Sequence, residues 1–270
     1  AIVPELIRRT AKIIENESFE ISDDHKIYWM DNPIAYLVPG KDYLNPKLEL
    51  LVDEALDLES KEKLKKNLEK KLRMLIVNEL SDLVNLSQSK FENSYVRALS
   101  YQLFENNGVI KREMINEIIK NIPKENRTSL RKSGIKLGRY HVFLPKMLKP
   151  SAVNLRTKLW KLYFPNDKKN FIPKFGLNFL ENKNISDKKF LLLCGFENFE
   201  NFYIRIDILE RLFLKIIEKT KNGMFKIESN MVNLIGCSNE NFYKLLKLMQ
   251  YKRRLTKNDK EFIFIYQPKY

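Results

Sequence analysis

Glycine is scarce in this chain: 8 among 270 residues, alongside only 2 cysteines, 2 histidines and 2 tryptophans. Each scarcity excludes something. No GxxxxGK[ST] phosphate loop is present, because Gly40-Lys41 lacks both the upstream glycine and the following hydroxyl residue that would hold magnesium. No strand runs into the Asp-Glu pair of the second ATPase motif. Gly134 and Gly138 lie four apart among charged and apolar residues and read as turn positions. Cys194 and Cys237 are far apart, with no CxxC and no histidine beside them. They read as buried small hydrophobes in a reducing cytoplasm. His25 and His141 stand alone, and HExxH, GxSxG and Cys–His arrangements are missing. No apolar run approaches the roughly 18 residues of a membrane span. The first residues, AIVPELIRRTAK, contain no signal-peptide core and no initiating Met, so the chain reads as a piece of a longer protein.

What is present is a packable chain with a skewed charge. Hydrophobic residues make up 44% and charged residues 31%, enough for a core without staples. Net charge is +15. Lysine supplies 36 of the 49 cations, as an AT-rich genome would impose without any selection for binding. The distribution is more telling. Residues 1–123 carry a net −3, residues 124–174 a net +12 with only two acids, and residues 175–270 a net +6. Codon bias would not strip acids from one stretch. A local excess of this size marks a polyanion partner.

Periodicity predicts an α+β chain, mainly α. A helix over 1–17 precedes a small β-hairpin module, with Phe19–Ser22 and Lys26–Trp29 flanking Asp23-Asp24-His25 and a third strand at Ile34–Val38. Residues 46–86 read as helical, with Pro46 in the first turn, Leu48, Leu51, Val52, Ala55 and Leu56 on one face, and a break near Leu58–Ser60. Ser60 is a weak cap for the second run. Further helices are expected near 90–106 and 110–121, separated by Asn106-Asn107-Gly108. Next come a helix over Glu125–Ser133, a strand over Arg139–Leu144, a helix over Ser151–Tyr163, and a polar loop over 165–190. The end reads as a winged helix: a helix at Ile204–Lys219, a strand at Phe225–Ile227, a short helix at Asn230–Gly236, a helix at Asn239–Met249 capped by Ser238, and a hairpin around Lys257–Lys260. The expected segments are 1–45 (N-terminal helix plus hairpin module), 46–123 (helical array), 124–190 (basic connector) and 191–270 (winged-helix domain).

The chemistry this supports is binding. Arg127, Arg131, Lys132, Lys136, Arg139, Lys146, Lys149, Arg156 and Lys158 can neutralise phosphates, giving affinity through counterion release. Among the interleaved aromatics, Tyr140 and Trp160 are the best candidates to stack on unpaired bases. In the tail, Ser238, Asn239, Asn241 and Lys244 open the helix that usually makes base or phosphate contacts, and Lys252, Arg253 and Arg254 lie at the wing. Asp207, Glu210 and Arg211 span one helical turn and read as an ion-pair or capping arrangement, not as an acid–base pair. No catalytic or metal-ligating set emerges.

Several runs carry a resemblance. Leu130–Pro150, LRKSGIKLGRYHVFLPKMLKP, resembles the LR-x-x-G-V-R-F-G-x-x-x-x-F-L-P-x-L-L-K-P run found downstream of the ATPase core in alphaproteobacterial superfamily-two RNA helicases, relatives of the mitochondrial RNA-degradation helicase. Ile204–Leu212, IRIDILERL, is similar to that family's V-R-x-D-x-L-E-R-L. Met231–Ser238, MVNLIGCS, followed by Leu245–Tyr251, is similar to M-x-S-L-V-G-C-S followed by L-x-x-L-G-Y. The Ala35–Leu44 run with Val38-Pro39-Gly40 also agrees. Departures are Ile135-Lys136-Leu137 for Val-Arg-Phe, which keeps a cation but loses bidentate geometry, and Met249-Gln250-Tyr251 for Leu-Gly-Tyr. The resemblance implies a parent protein whose two RecA-like domains use ATP and Mg, with this chain as a non-catalytic accessory region that needs no cofactor of its own. The expected partners are RNA, with DNA as the alternative, and a RecA-like core in cis or in trans; no membrane is expected. A docking scaffold for an RNA-processing partner is the competing expectation. A free-standing enzyme would need a polar pocket with a shifted titratable group, which no motif reveals.

Overall fold

The computed structural model describes residues 20–29, 31–51, 57–164, 172–181, 187–200, 202–255 and 262–266. The helix expected over 1–17, Phe19, and the hairpin turn at 257–260 lie outside them. The chain is mixed α/β, and all its sheets are small and antiparallel. It divides into two compact units, one drawn from 1–90 and 146–169, the other from 91–145 and 170–270. The basic stretch 124–174 therefore contributes to both.

Among the described residues, the first unit contains one sheet, in the order β1 (Lys26–Trp29), β2 (Asn32–Val38), β3 (Lys47–Leu50). The segment before β1 pairs with it through a single described bridge, Ile21 to Ile27, with Ser22 and Asp24 also bonded to Lys26, so the main hairpin is β1–β2. The helical start expected at Pro46 is corrected to strand β3. Leu48 is buried opposite Leu37, and Glu49 accepts the Tyr36 hydroxyl proton across the pair. Pairing with β2 outweighs a helical pattern whose remaining members, 52–56, are not described. The helix Leu58–Glu79 starts at Asp57, whose carboxylate accepts from the Ser60 amide; Asp57, not Ser60, is the cap. Leu64, Leu68, Leu72 and Ile76 form its buried stripe, and a break at Leu80 leads into Ser81–Gln88.

The helix Pro150–Tyr163 closes this unit. The Tyr163 hydroxyl accepts from the Gly40 amide at 2.9 Å and donates to the Asp42 carbonyl. Lys158 donates to the Ile21 carbonyl at 2.5 Å, and the Lys158 carbonyl lies 2.9 Å from His25 Nε2. The N- and C-proximal pieces of the unit are thus stitched together by polar contacts.

Among the described residues, the second unit has three sheets. In the first, β4 (Val109–Lys111) and β5 (Lys136–Leu137) flank β6 (His141–Phe143). The helix Ser94–Glu105 leads into it, capped by Asn93, and the expected stop at Asn106–Gly108 hands the chain first to β4 and then to the helical stretch Arg112–Lys120, most of the helix expected at 110–121. In the second, β7 (Phe179–Glu181) and β8 (Phe196–Phe199) flank β9 (Phe202–Arg205). Strand β7 and the helix Lys188–Leu193 occupy part of the stretch expected as loop. The third sheet has β10 (Met224–Phe225) and β11 (Tyr251–Leu255) on either side of β12 (Phe262–Tyr266). Its core is apolar, with Leu209, Leu212 and Ile216 of the helix Ile206–Lys219 packed with Met231, Phe242, Leu245, Leu246 and Phe264. Ser238 caps Asn239–Leu248, its hydroxyl accepting from the Asn241 amide.

Candidate nucleic-acid interface

Cation placement in the second unit begins with the helix Lys124–Lys132. Arg127 and Arg131 are four apart, so they share a face, and both are exposed. The helix ends in a Schellman arrangement. The Ile135 amide donates to the Leu130 carbonyl and the Gly134 amide to the Arg131 carbonyl, each at 3.0 Å, with Gly134 at φ +80°. That turn folds the chain directly into β5 and brings Lys136 back beside the arginines. Arg112, from the turn after β4, completes the group. Arg112, Arg127, Arg131 and Lys136 line one cleft of about 500 Å³ over an aliphatic floor of Ile119, Ile135 and Leu137. Among the described residues, no carboxylate lines it. Burial, then the neighbouring Arg139 and Arg127, lower the pKa of Arg112 against an opposing pull from Glu210. Like charges therefore converge here, with Glu210 acting on Arg112 from outside the cleft lining.

A buried clamp fixes this arrangement. The Glu210 carboxylate accepts the consecutive backbone amides of Arg139 (2.6 Å), Tyr140 (2.8 Å) and His141 (3.0 Å). Gly138 is required by this approach, since a Cβ there would sit 2.4 Å from Glu210 Cδ. The Gly138 carbonyl in turn accepts from Arg112 Nη1 at 2.6 Å, and the Tyr140 carbonyl accepts the Arg112 amide at 2.8 Å. Glu210 thus caps a loop far from it in sequence, while its neighbour Asp207 pairs with Arg205.

Beneath the loop, His141 is 1% exposed. Its Nε2 is 2.7 Å from Glu197 Oε2, and its Nδ1 lies 3.7 Å from Glu210 Oε1, too far for a hydrogen bond but close enough for charge pairing. Lys111 Nζ reaches Glu197 Oε1 at 2.5 Å. Burial disfavours an imidazolium, yet the two carboxylates outweigh it and raise the His141 pKa. Burial likewise works against both carboxylates, but His141 with Lys111 lowers Glu197, and His141 with the loop amides lowers Glu210. The sign of the pH dependence follows. His141 contributes stability in full below its ordinary 6.5, and this is lost as pH rises through its raised value. The glutamates contribute in full above their ordinary 4.5, and this is lost as pH falls through their lowered values. Thermal midpoints measured across pH are therefore expected to peak in the mildly acidic range. His141→Gln should flatten the alkaline limb; a limb that persists in that variant removes His141 from this account.

The other expected site residues are dispersed. Lys132 is exposed on the same helix as Arg127. Arg139 is exposed, donates to the Tyr266 hydroxyl at 3.2 Å and lies over the Phe213 ring. Tyr140 is half-buried, edge-on to Phe213, and its burial raises its pKa. Trp160 is likewise half-buried, and its ring stacks on Phe164 at 4.7 Å. Arg156 is corrected as a phosphate contact. It is 0% exposed, donates to the Met147 carbonyl, and cannot reach a phosphate. Lys158 is spent on the Ile21 carbonyl, and Lys146 is neutralised by Asp82 at 2.7 Å. Lys149 is exposed just before its helix. In the tail, Asn239, Lys252 and Arg254 are exposed, Lys244 pairs with Glu240 at 3.3 Å, and Arg253 lies 5.0 Å over the Tyr243 ring. The Ser238 hydroxyl and the Asn241 amide are tied up in the cap.

No family model, curated protein or solved structure matches the chain. Among the described residues, no group of His, Cys, Asp and Glu could hold a metal ion, and no helix is long and apolar enough to cross a membrane.

Proposed function

We propose that this chain binds RNA without catalysing a reaction, as the accessory C-terminal region of an ATP-dependent RNA helicase. One observation carries the binding: four cations from three separate pieces of backbone converge on one cleft where, among the described residues, no carboxylate forms the lining. Such a convergence concentrates positive potential at one concavity and favours a polyanion there. The helicase assignment is supported by the Leu130–Pro150 run, which carries Arg131, Lys136 and the clamped loop amides, and by the Ile204–Leu212 run, which carries Glu210; Arg112 and Arg127 lie outside both. On this reading ATP and Mg act in a RecA-like core, in cis or in trans. The terminal module is read as a winged helix, on its order of helix, strand, two helices and two strands with β12 central. It offers Asn239, Lys252 and Arg254 as auxiliary contacts.

Filter binding of the chain to single-stranded RNA tests the proposal. Four phosphate contacts at about 0.7 each give a fall of roughly 50-fold between about 50 and 200 mM salt. Affinity that ignores salt would instead favour a docking scaffold for a protein partner.

A further inference from the structure

Resting on the RNA-binding reading above, we propose that the Arg112–Arg127–Arg131–Lys136 cleft is specific for a terminal phosphate monoester, the phosphorylated end of an RNA strand. Four cations around one concavity of about 500 Å³ suit charge concentrated at a point. An internal phosphodiester brings one negative charge and continues in both directions, so its backbone would have to kink sharply to enter. A terminal monoester brings about 1.5 to 2 charges at neutral pH and three acceptor oxygens, and it enters end-on. The guanidiniums match it. Arg127 and Arg131 project from one helical face, and Arg112 is held by its bond to the Gly138 carbonyl, so each can present paired donors to an oxygen fork. The volume is also more than a phosphate needs. It lies within the range of about 300–1,000 Å³ that holds small-molecule ligands, leaving room for the last sugar and base on Ile119, Ile135 and Leu137.

The experiment uses the full chain and one single-stranded oligoribonucleotide in three forms: 5′-phosphorylated, 3′-phosphorylated, and hydroxyl at both ends. One phosphorylated form is expected to bind about tenfold or more tightly than the dihydroxyl form, and which one identifies the end recognised. Inorganic phosphate should compete with that form in preference to the dihydroxyl one. Arg131→Ala, at an exposed position, should erase the difference while leaving residual affinity for all three. Arg127→Ala provides the same test should the first variant fail to fold. Equal affinity of the wild-type chain for the three forms overturns the monoester assignment and leaves RNA binding standing. Binding to none of them overturns both.

Discussion

Glu210→Ala is expected to cost about 3–5 kcal/mol of stability, the range for removing one partner of a buried charged pair. The carboxylate is 3% exposed and answers three backbone amides and the His141 charge at once. Alanine leaves the three amides without this buried acceptor and His141 with Glu197 as its remaining carboxylate, and an orphaned buried donor costs its full desolvation. Glutamine keeps one oxygen acceptor and should lose less. Two measurements check this. Urea unfolding gives the stability, and hydrogen exchange at Arg139, Tyr140 and His141 gives the local effect, because those amides should lose protection first. A variant within about 0.5 kcal/mol of wild type, or unchanged protection at the three amides, would show that Glu210 is not the clamp.

The second large effect is on affinity. Arg127→Glu with Arg131→Glu removes two of the four cleft cations and inserts two carboxylates in their place. RNA affinity should fall on the order of 100-fold at about 100 mM salt, and the salt slope should drop by about 1.5 in magnitude. Both side chains are exposed and no ion pair holds either among the described residues, so the thermal midpoint should hardly move. A folded double variant that retains wild-type affinity moves the binding surface elsewhere on the chain.

Local signals in the sequence were dependable where the chemistry was local. Ser238 and Asn106–Gly108 end or begin helices as their residue types dictate, and the helix carrying Arg127 and Arg131 lies within a residue of expectation. Side-chain direction was harder. Arg156 counts as a cation in any tally of residues 124–174, yet it belongs to the stripe Ala152, Leu155, Arg156, Leu159, which at helical spacing faces a core. That spacing was readable and would have excluded it. Arg112 was missed for the opposite reason. It stands in a stretch of net negative charge, and only the pairing of β4 with β6 carries it to the cleft. The clamp was legible as a type of arrangement but not as a partner. Nothing in IDILER shows that Glu210 reaches a loop about 70 residues earlier, and Gly138 reveals its purpose only once that carboxylate is beside it. Strand β3 was lost because a four-residue apolar alternation after a proline also satisfies a helical count.

The alternation of the two units along the chain has a consequence for biosynthesis. Ile21 meets Lys158 across 137 residues of sequence, and most of the other unit's first half is translated between them. A nascent polypeptide cannot complete its first-translated body until residue 163 has left the ribosome, by which time the sheet bearing Arg112 and Lys136 is already available to form. One sheet of the second body can thus form before the first body closes, although the second body as a whole still needs residues up to 266; the long loop closure places the first body among the slower folding topologies.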